Sequence, residues 1–230
     1  MNTGTLYGVG IGPGDPKLLT LRAVELIREN EVIAVPGETA CDAVAYKIAV
    51  QAVPELAAKE LVALPMPMTK DKTVLEQNHD RAAERVEEFL KYGKNVVFLT
   101  LGDPTVYSTY LYVHKRVAAH GYPTEIVSGI TSFCAVSARL DMGLVEKAQE
   151  LHVIPASYQI EEALQMTGTK VLMKAGKKIG QVKEILKAQG QDAMMIENCG
   201  MENEKIYRCV DEIPENAGYY SLIIIKEKEA

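Results

Sequence analysis

The chain has 230 residues, 47% of them hydrophobic, and 25 Lys and Arg against 31 Asp and Glu give a formal net charge of −6. That length suits one large domain or two small ones with a sizeable core, and an acidic chain with no Lys/Arg-rich run excludes a basic nucleic-acid surface. The longest apolar runs, such as VVFLTL and SLIII, are too short to span a bilayer, and MNTGTLYG lacks the basic flank and apolar stretch of a signal peptide, so a cytoplasmic protein is expected.

In chain order, LYGVGIG reads as a strand and residues 21–29 (LRAVELIRE) as a helix with Thr20 at its N-cap. VIAV (32–35) is a second strand, stopped by Pro36-Gly37, followed by a helix around CDAVAYKIAV and a strand at ELVALPM. A long charged amphipathic helix is expected from Thr73 to Tyr92. NVVFLTLG (95–102) has the unbroken apolar run of a strand buried on both faces. A helix from Thr105 to His120, ended by Gly121, completes this half.

Past Pro123 the alternation restarts with strand TEIVS, helix SFCAVSARL, strand LHVIPA, helix QIEEALQM, strand KVLMK, helix GQVKEILKAQ and strand AMMIE. KIYRCV and YYSLIIIKE then follow as strands with no helix between them, which favours an antiparallel end to a second sheet. The expected fold class is therefore α/β, with two α/β domains, residues 1–122 and 123–230. The first sheet is mostly parallel, the second mixed, and a cleft lies between the domains.

Cys41, Cys134, Cys199 and Cys209 form no CxxC pair, and His79, His114, His120 and His152 are scattered. Neither set has ligand spacing, so no protein-held metal and no disulfide framework are expected. The opening GVGIGPGDP invites a nucleotide-loop reading. Its glycines stand at 8, 10, 12 and 14, so the last glycine of GxGxxG is replaced by Pro13 in one register and Asp15 in the other, and no Gly-Lys-Ser/Thr follows. What remains is a tight strand-to-helix connection, or a loop bringing backbone close to a bulky ligand. LTLGDPTVYST ends the buried strand with Gly102, Asp103, Pro104, Tyr107, Ser108 and Thr109, and VSGITSFCAVSA makes a third glycine corner before a helix. Ligands of parallel sheets bind outside the carboxyl ends of the strands, where all three corners fall.

YGVGIGPGDPKLLTLRAVELI, LTLGDPTVYST and VSGITSFCAVSARL, in this order and over nearly the whole chain, resemble the tetrapyrrole methylases, the methyltransferases of cobalamin and sirohaem synthesis. Tyr107-Ser108-Thr109 after the GDP, Phe133-Cys134-Ala135 and LPMPMTKD resemble the precorrin-2/cobalt-factor II C20 branch of that family. The resemblance implies S-adenosylmethionine as methyl donor, a tetrapyrrole substrate that brings any cobalt with it, and a homodimer. By motif position it implies donor contacts from Gly102, Asp103, Val106, Tyr107, Thr131, Ser132, Ala156 and Met173, with Asn198, Cys199 and Gly200 as further candidates at a strand end. The glycine loop, Gly10, Gly12, Pro13, Gly14 and Asp15, is expected to border the substrate.

In such a reaction the macrocycle carbon is the nucleophile, so no Ser-His-Asp or Cys-His constellation is required, and proximity can supply roughly 7–11 kcal/mol. A general base would take the C20 proton; Asp103 is the leading candidate and Tyr107 the second, with helix capping the alternative role for Asp103. Because the chain is acidic, substrate carboxylates must meet local donors: glycine-loop N–H groups, and Arg22, Lys70, Lys72 or Arg139, for each of which a solvated surface role is the alternative. Three other readings stay open: a metal-free substrate, a nicotinamide oxidoreductase, and a non-catalytic module on the same fold.

Overall fold

The computed structural model describes residues 3–155 and 160–226, without the side chain of Lys177. The chain divides into two compact units, Met1–Thr131 and Ser132–Ala230.

The first unit runs β1 (Leu6–Gly10), α1 (Leu21–Glu29), β2 (Val32–Pro36), α2 (Val44–Ala52), β3 (Glu60–Leu64), α3 (Lys72–Leu90), β4 (Val96–Thr100), α4 (Tyr110–Ala119) and β5 (Thr124–Val127). The helices start where the sequence supplies acceptors. Thr20 Oγ1 accepts from Ala23 N–H at 3.1 Å, and Asp71 Oδ1 accepts from Thr73 and Val74 N–H at 2.9 and 3.2 Å. The five strands lie in the order β3-β2-β4-β1-β5, and every pair is parallel. All five residues of β4 are buried, and Val96 and Phe98 share one core with Leu6, Val32, Ala82, Val86, Val113 and Val117.

This strand order places the site. From β1 the chain leaves through α1 toward β2, on the far side of β4; from β4 it leaves through α4 toward β5, on the far side of β1. Two neighbouring parallel strands whose connections depart in opposite directions open a crevice at their carboxyl ends.

The division between units falls after Thr131 instead of after Tyr122. β5, expected to open the second half, pairs with β1 from Leu6↔Thr124 to Val9↔Val127 and completes the first sheet. The helix expected from Thr105 begins only at Tyr110, because residues 102–109 are taken up by a turn.

The second unit runs α5 (Ser132–Arg139), β6 (Leu151–Pro155), α6 (Ile160–Leu164), β7 (Thr169–Met173), α7 (Ile179–Ala188), β8 (Met194–Glu197), β9 (Lys205–Tyr207) and β10 (Ser221–Ile225). Its sheet order is β6-β7-β10-β8-β9, with β6 and β7 parallel and β10 antiparallel to both β7 and β8. β9 gives the sheet its antiparallel edge, but β10 lies in the middle. Its run SLIII is apolar at consecutive positions, and only a central strand buries both faces of such a run. Ile223 and Ile225 pack with Ile160, Leu164, Val182 and Leu186, while Leu222 and Ile224 pack with Val136 and Leu140 on the other face.

Candidate active site

At the carboxyl ends of β1, β4 and β5 three backbone segments touch. Ile11 N–H donates to Thr100 O at 3.1 Å, Gly12 N–H to Gly102 O at 3.3 Å, and Gly102 N–H back to Gly12 O at 2.8 Å. A Cβ on Gly10 would stand 2.6 Å from Gly102 O and 2.6 Å from Gly129 N, and one on Gly129 would stand 2.3 Å from Gly102 O. Only glycine permits that approach. Gly102 itself sits at φ +72°, where a Cβ would meet nothing nearer than Ile130 O at 4.0 Å.

Asp103, 7% exposed, ties the second corner to the third. Its Oδ1 accepts from Thr105 N–H at 2.7 Å and from the Thr105 hydroxyl at 2.5 Å, while Oδ2 accepts from Gly129 N–H at 3.0 Å. Burial alone would push its carboxyl upward; the hydrogen bonds from Thr105, Gly129 and Ser128 outweigh it and hold the group below the ordinary carboxylate range. Asp103 therefore caps its own turn and does not cap α4. Val106 N–H donates to Asp103 O at 3.2 Å. Tyr107 follows at φ +50° and is 47% exposed. At the third corner Thr131 Oγ1 is buried and has no hydrogen-bond partner among the described residues.

The structure thus brings Gly10, Gly12, Gly102 and Asp103 together, and adds Gly129, which the sequence showed only as a turn residue. Thr100, at the end of β4, and Ser108, in the polar run that follows it, are hydrogen-bonded to each other at 2.9 Å at the base of this loop. Gly12, Pro13 and Gly14 are buried, and Asp15 Oδ1 accepts from Lys17 N–H at 2.8 Å. The N–H of Gly12 is spent on Gly102 O, so that one amide is not offered to ligand carboxylates. A dinucleotide phosphate would need that same amide.

Within the second unit, Ser132 opens α5, Met173 closes β7, and Asn198, Cys199 and Gly200 follow β8, Asn198 at φ +55°. Met173 and Asn198 flank the start of β10, where Leu222 pairs with Met173 and Asn198 N–H donates to Tyr220 O at 3.0 Å. Ala156 lies outside the described residues. Of the cationic candidates, Arg22 pairs with Glu25 at 3.4 Å and Arg139 with Glu204 at 2.7 Å, while Lys70 and Lys72 are exposed. Among the described residues no group of three or more His, Cys, Asp and Glu could hold a metal ion, and no helix is long and apolar enough to cross a membrane.

The model of the tetrapyrrole (corrin/porphyrin) methylases matches residues 5–212. The chain is 35% identical over 226 residues to a probable cobalt-precorrin-2 C(20)-methyltransferase of Methanocaldococcus jannaschii, covering 96% of this chain and 95% of that protein. It is 29% identical over 240 residues to a precorrin-2 C(20)-methyltransferase of a Sinorhizobium species, covering 98% and 96%. Among solved structures, uroporphyrin-III C-methyl transferase from Thermus thermophilus complexed with S-adenyl homocysteine has the same fold, with a TM-score of 0.70, 22% identity, and coverage of 97% of this chain and 98% of that one.

Proposed function

The chain belongs to the tetrapyrrole methylases, and from that premise we propose that it transfers a methyl group from S-adenosylmethionine to C20 of cobalt-factor II (cobalt-precorrin-2) in cobalamin biosynthesis. The observation that carries the proposal is the end-to-end match to the Methanocaldococcus relative in a chain whose three glycine corners close on one another at the switch point. The Sinorhizobium relative, named for precorrin-2, supports a second reading with a metal-free substrate.

The residues present suit a sulfonium donor. Open space above Gly102 and an orphaned hydroxyl at Thr131 leave room and one hydrogen bond for a ligand, and the neighbour crystallised with S-adenyl homocysteine supports the same donor class. When bound, the donor supplies an electrophilic methyl carbon on a positive sulfur. On this reading the donor contacts are the ones the family resemblance implies, Gly102, Asp103, Val106, Tyr107, Thr131, Ser132, Ala156 and Met173.

Asp103 stays anionic at neutral pH, so its charge favours a nearby cation. A carboxylate whose two oxygens already accept from Thr105 and Gly129, and which is held below its ordinary range, is a poor proton acceptor. We therefore assign Asp103 to loop organisation and charge and Tyr107, at the loop surface, to lining the donor site, with the C20 proton passing to water. Gly10, Gly12, Pro13, Gly14 and Asp15 border the substrate through their shape.

Isothermal titration with S-adenosylhomocysteine tests the donor, and methyl-transfer assays with cobalt-loaded and metal-free substrate separate the two readings. Binding with turnover of the cobalt form supports the proposal; turnover of only the metal-free form moves it to the second reading; no binding of either donor form removes both. A homodimeric, cytoplasmic enzyme goes with the proposal, and sedimentation velocity on the purified chain tests the dimer.

A further inference from the structure

Thr100 ends β4 at the point where three connections meet. Its carbonyl accepts from Ile11 N–H at 3.1 Å, so it holds the first glycine corner. Its hydroxyl is hydrogen-bonded to Ser108 Oγ at 2.9 Å, and Ser108 Oγ accepts from Tyr110 N–H at 3.2 Å, the first residue of α4. Both side chains are buried, Thr100 at 5% and Ser108 at 9% exposure. Thr109, at the N-cap position of α4, makes no side-chain cap bond, so Ser108 satisfies a helix donor from one residue earlier.

Residues 101–107 are thus a loop closed at its base by two side-chain hydroxyls. Its upper half is fixed independently by Asp103, bound to Thr105 within the loop and to Gly129 outside it. Between these fixed points the chain passes through positive φ twice, at Gly102 (+72°) and at Tyr107 (+50°). A bulky residue keeps left-handed backbone only where its surroundings over-determine it, and such positions cluster at ligand sites. At the base of the loop the hydroxyl pair joins the end of β4 to the start of α4 by hydrogen bonds, beside the ring contact of Phe98 with Tyr110, centroids 5.3 Å apart.

We propose that Thr100 and Ser108 are positioning residues, a hydroxyl clasp that fixes the loop carrying Gly102, Asp103, Val106 and Tyr107 in the shape that receives the methyl donor. Neither residue touches the reacting atoms; they act through the backbone of the loop between them. The inference rests on the functional reading above and extends it to two residues outside the expected contact set.

Thr100→Val keeps the shape of the side chain and removes its hydroxyl; Ser108→Ala removes the other. Each is expected to raise the Kd for S-adenosylhomocysteine in calorimetry by about tenfold, and the KM for the methyl donor in step, with kcat changed less. The double variant is expected to bind no worse than the weaker single, because one clasp is broken only once. Thr100→Ser restores the hydroxyl and is expected to return Kd to within about twofold of wild type. Melting temperature is recorded for every protein, and Ser108→Ala carries the measurement if Thr100→Val does not fold. Variants that melt earlier yet bind at the wild-type Kd overturn the proposal, as does a double variant whose loss is the product of the two single losses. A wild-type chain that binds no S-adenosylhomocysteine overturns the functional reading and this proposal with it.

Discussion

Asp103 shows how little of a residue's role is written in its type. Its place after a strand, between Gly102 and Pro104, marks it for chemistry, and the structure adds hydrogen bonds that join two corners. Bonds to a charged acceptor contribute about 1.5–3 kcal/mol each. Asp103→Asn turns one acceptor into a donor facing N–H groups, so it is expected to lower unfolding free energy at pH 7 by about that much. The pH dependence has a definite sign. The carboxyl is held below its ordinary value of 3.8, so its stabilisation is complete above that value and is lost as pH falls through the lower folded-state value. Urea unfolding of the two proteins should therefore show a gap that is constant near neutrality and closes below about pH 4; a gap that persists in acid contradicts the assignment.

Among the elements, α3 and α4 carry a second titration. His79 on α3 is buried and stacked on Tyr112 of α4, ring centroids 4.4 Å apart and interplanar angle 5°. Arg116 of α4 reaches back to Glu76 and to Asp80. Burial first, then the Arg116 guanidinium, holds His79 below 6.5, against the opposing pull of Glu76 and Asp80. A depressed imidazole gives its full stability above 6.5 and loses it as pH falls through the folded-state value. His79→Phe keeps the ring against Tyr112 and removes the proton site, so its urea midpoint should fall less than the wild type's between about pH 7 and pH 5. An equal fall in both proteins contradicts this. α4 also shows where sequence patterning stops. The stretch from Thr105 has helical spacing, but the Asp103 turn and the left-handed Tyr107 use up the first residues, and periodicity carries no information about a side chain that diverts the backbone. α1 was legible because Thr20 caps an apolar stripe that the core then uses, and α3 because its own apolar stripe recurs at helical spacing; its cap, Asp71, was not.

In the molecule as a whole, the alternation of strands and helices gave the α/β class and the parallel first sheet, but not the division between units. Gly121 and Pro123 punctuate the chain, yet they are only the turn between α4 and β5, whose pairing to β1 is a long-range choice that local pattern does not encode. The central position of β10 was missed for the same reason: two successive strands read as an antiparallel end, and which strands flank an apolar run is a long-range choice. That position has a measurable consequence in the second unit. Ile224→Ala, at a fully buried site on β10, is expected to cost about 2–5 kcal/mol, and Ile206→Ala, half-buried on edge strand β9, clearly less in the same denaturation series; equal losses contradict the strand order. The site was legible as three corners at strand ends and as a family pattern. The contact between those corners was not, because Gly10, Gly102 and Gly129 are far apart in sequence and meet only through strand order. On the proposed function, the methyl group goes to one macrocycle carbon. Incubation of the chain with cobalt-factor II and S-adenosylmethionine carrying a carbon-13 methyl group, followed by carbon NMR of the isolated product, tests it most directly. A single labelled methyl at C20 is expected, with S-adenosylhomocysteine formed in equal amount; a label at any other ring position, or unlabelled macrocycle, rules out the proposed reaction.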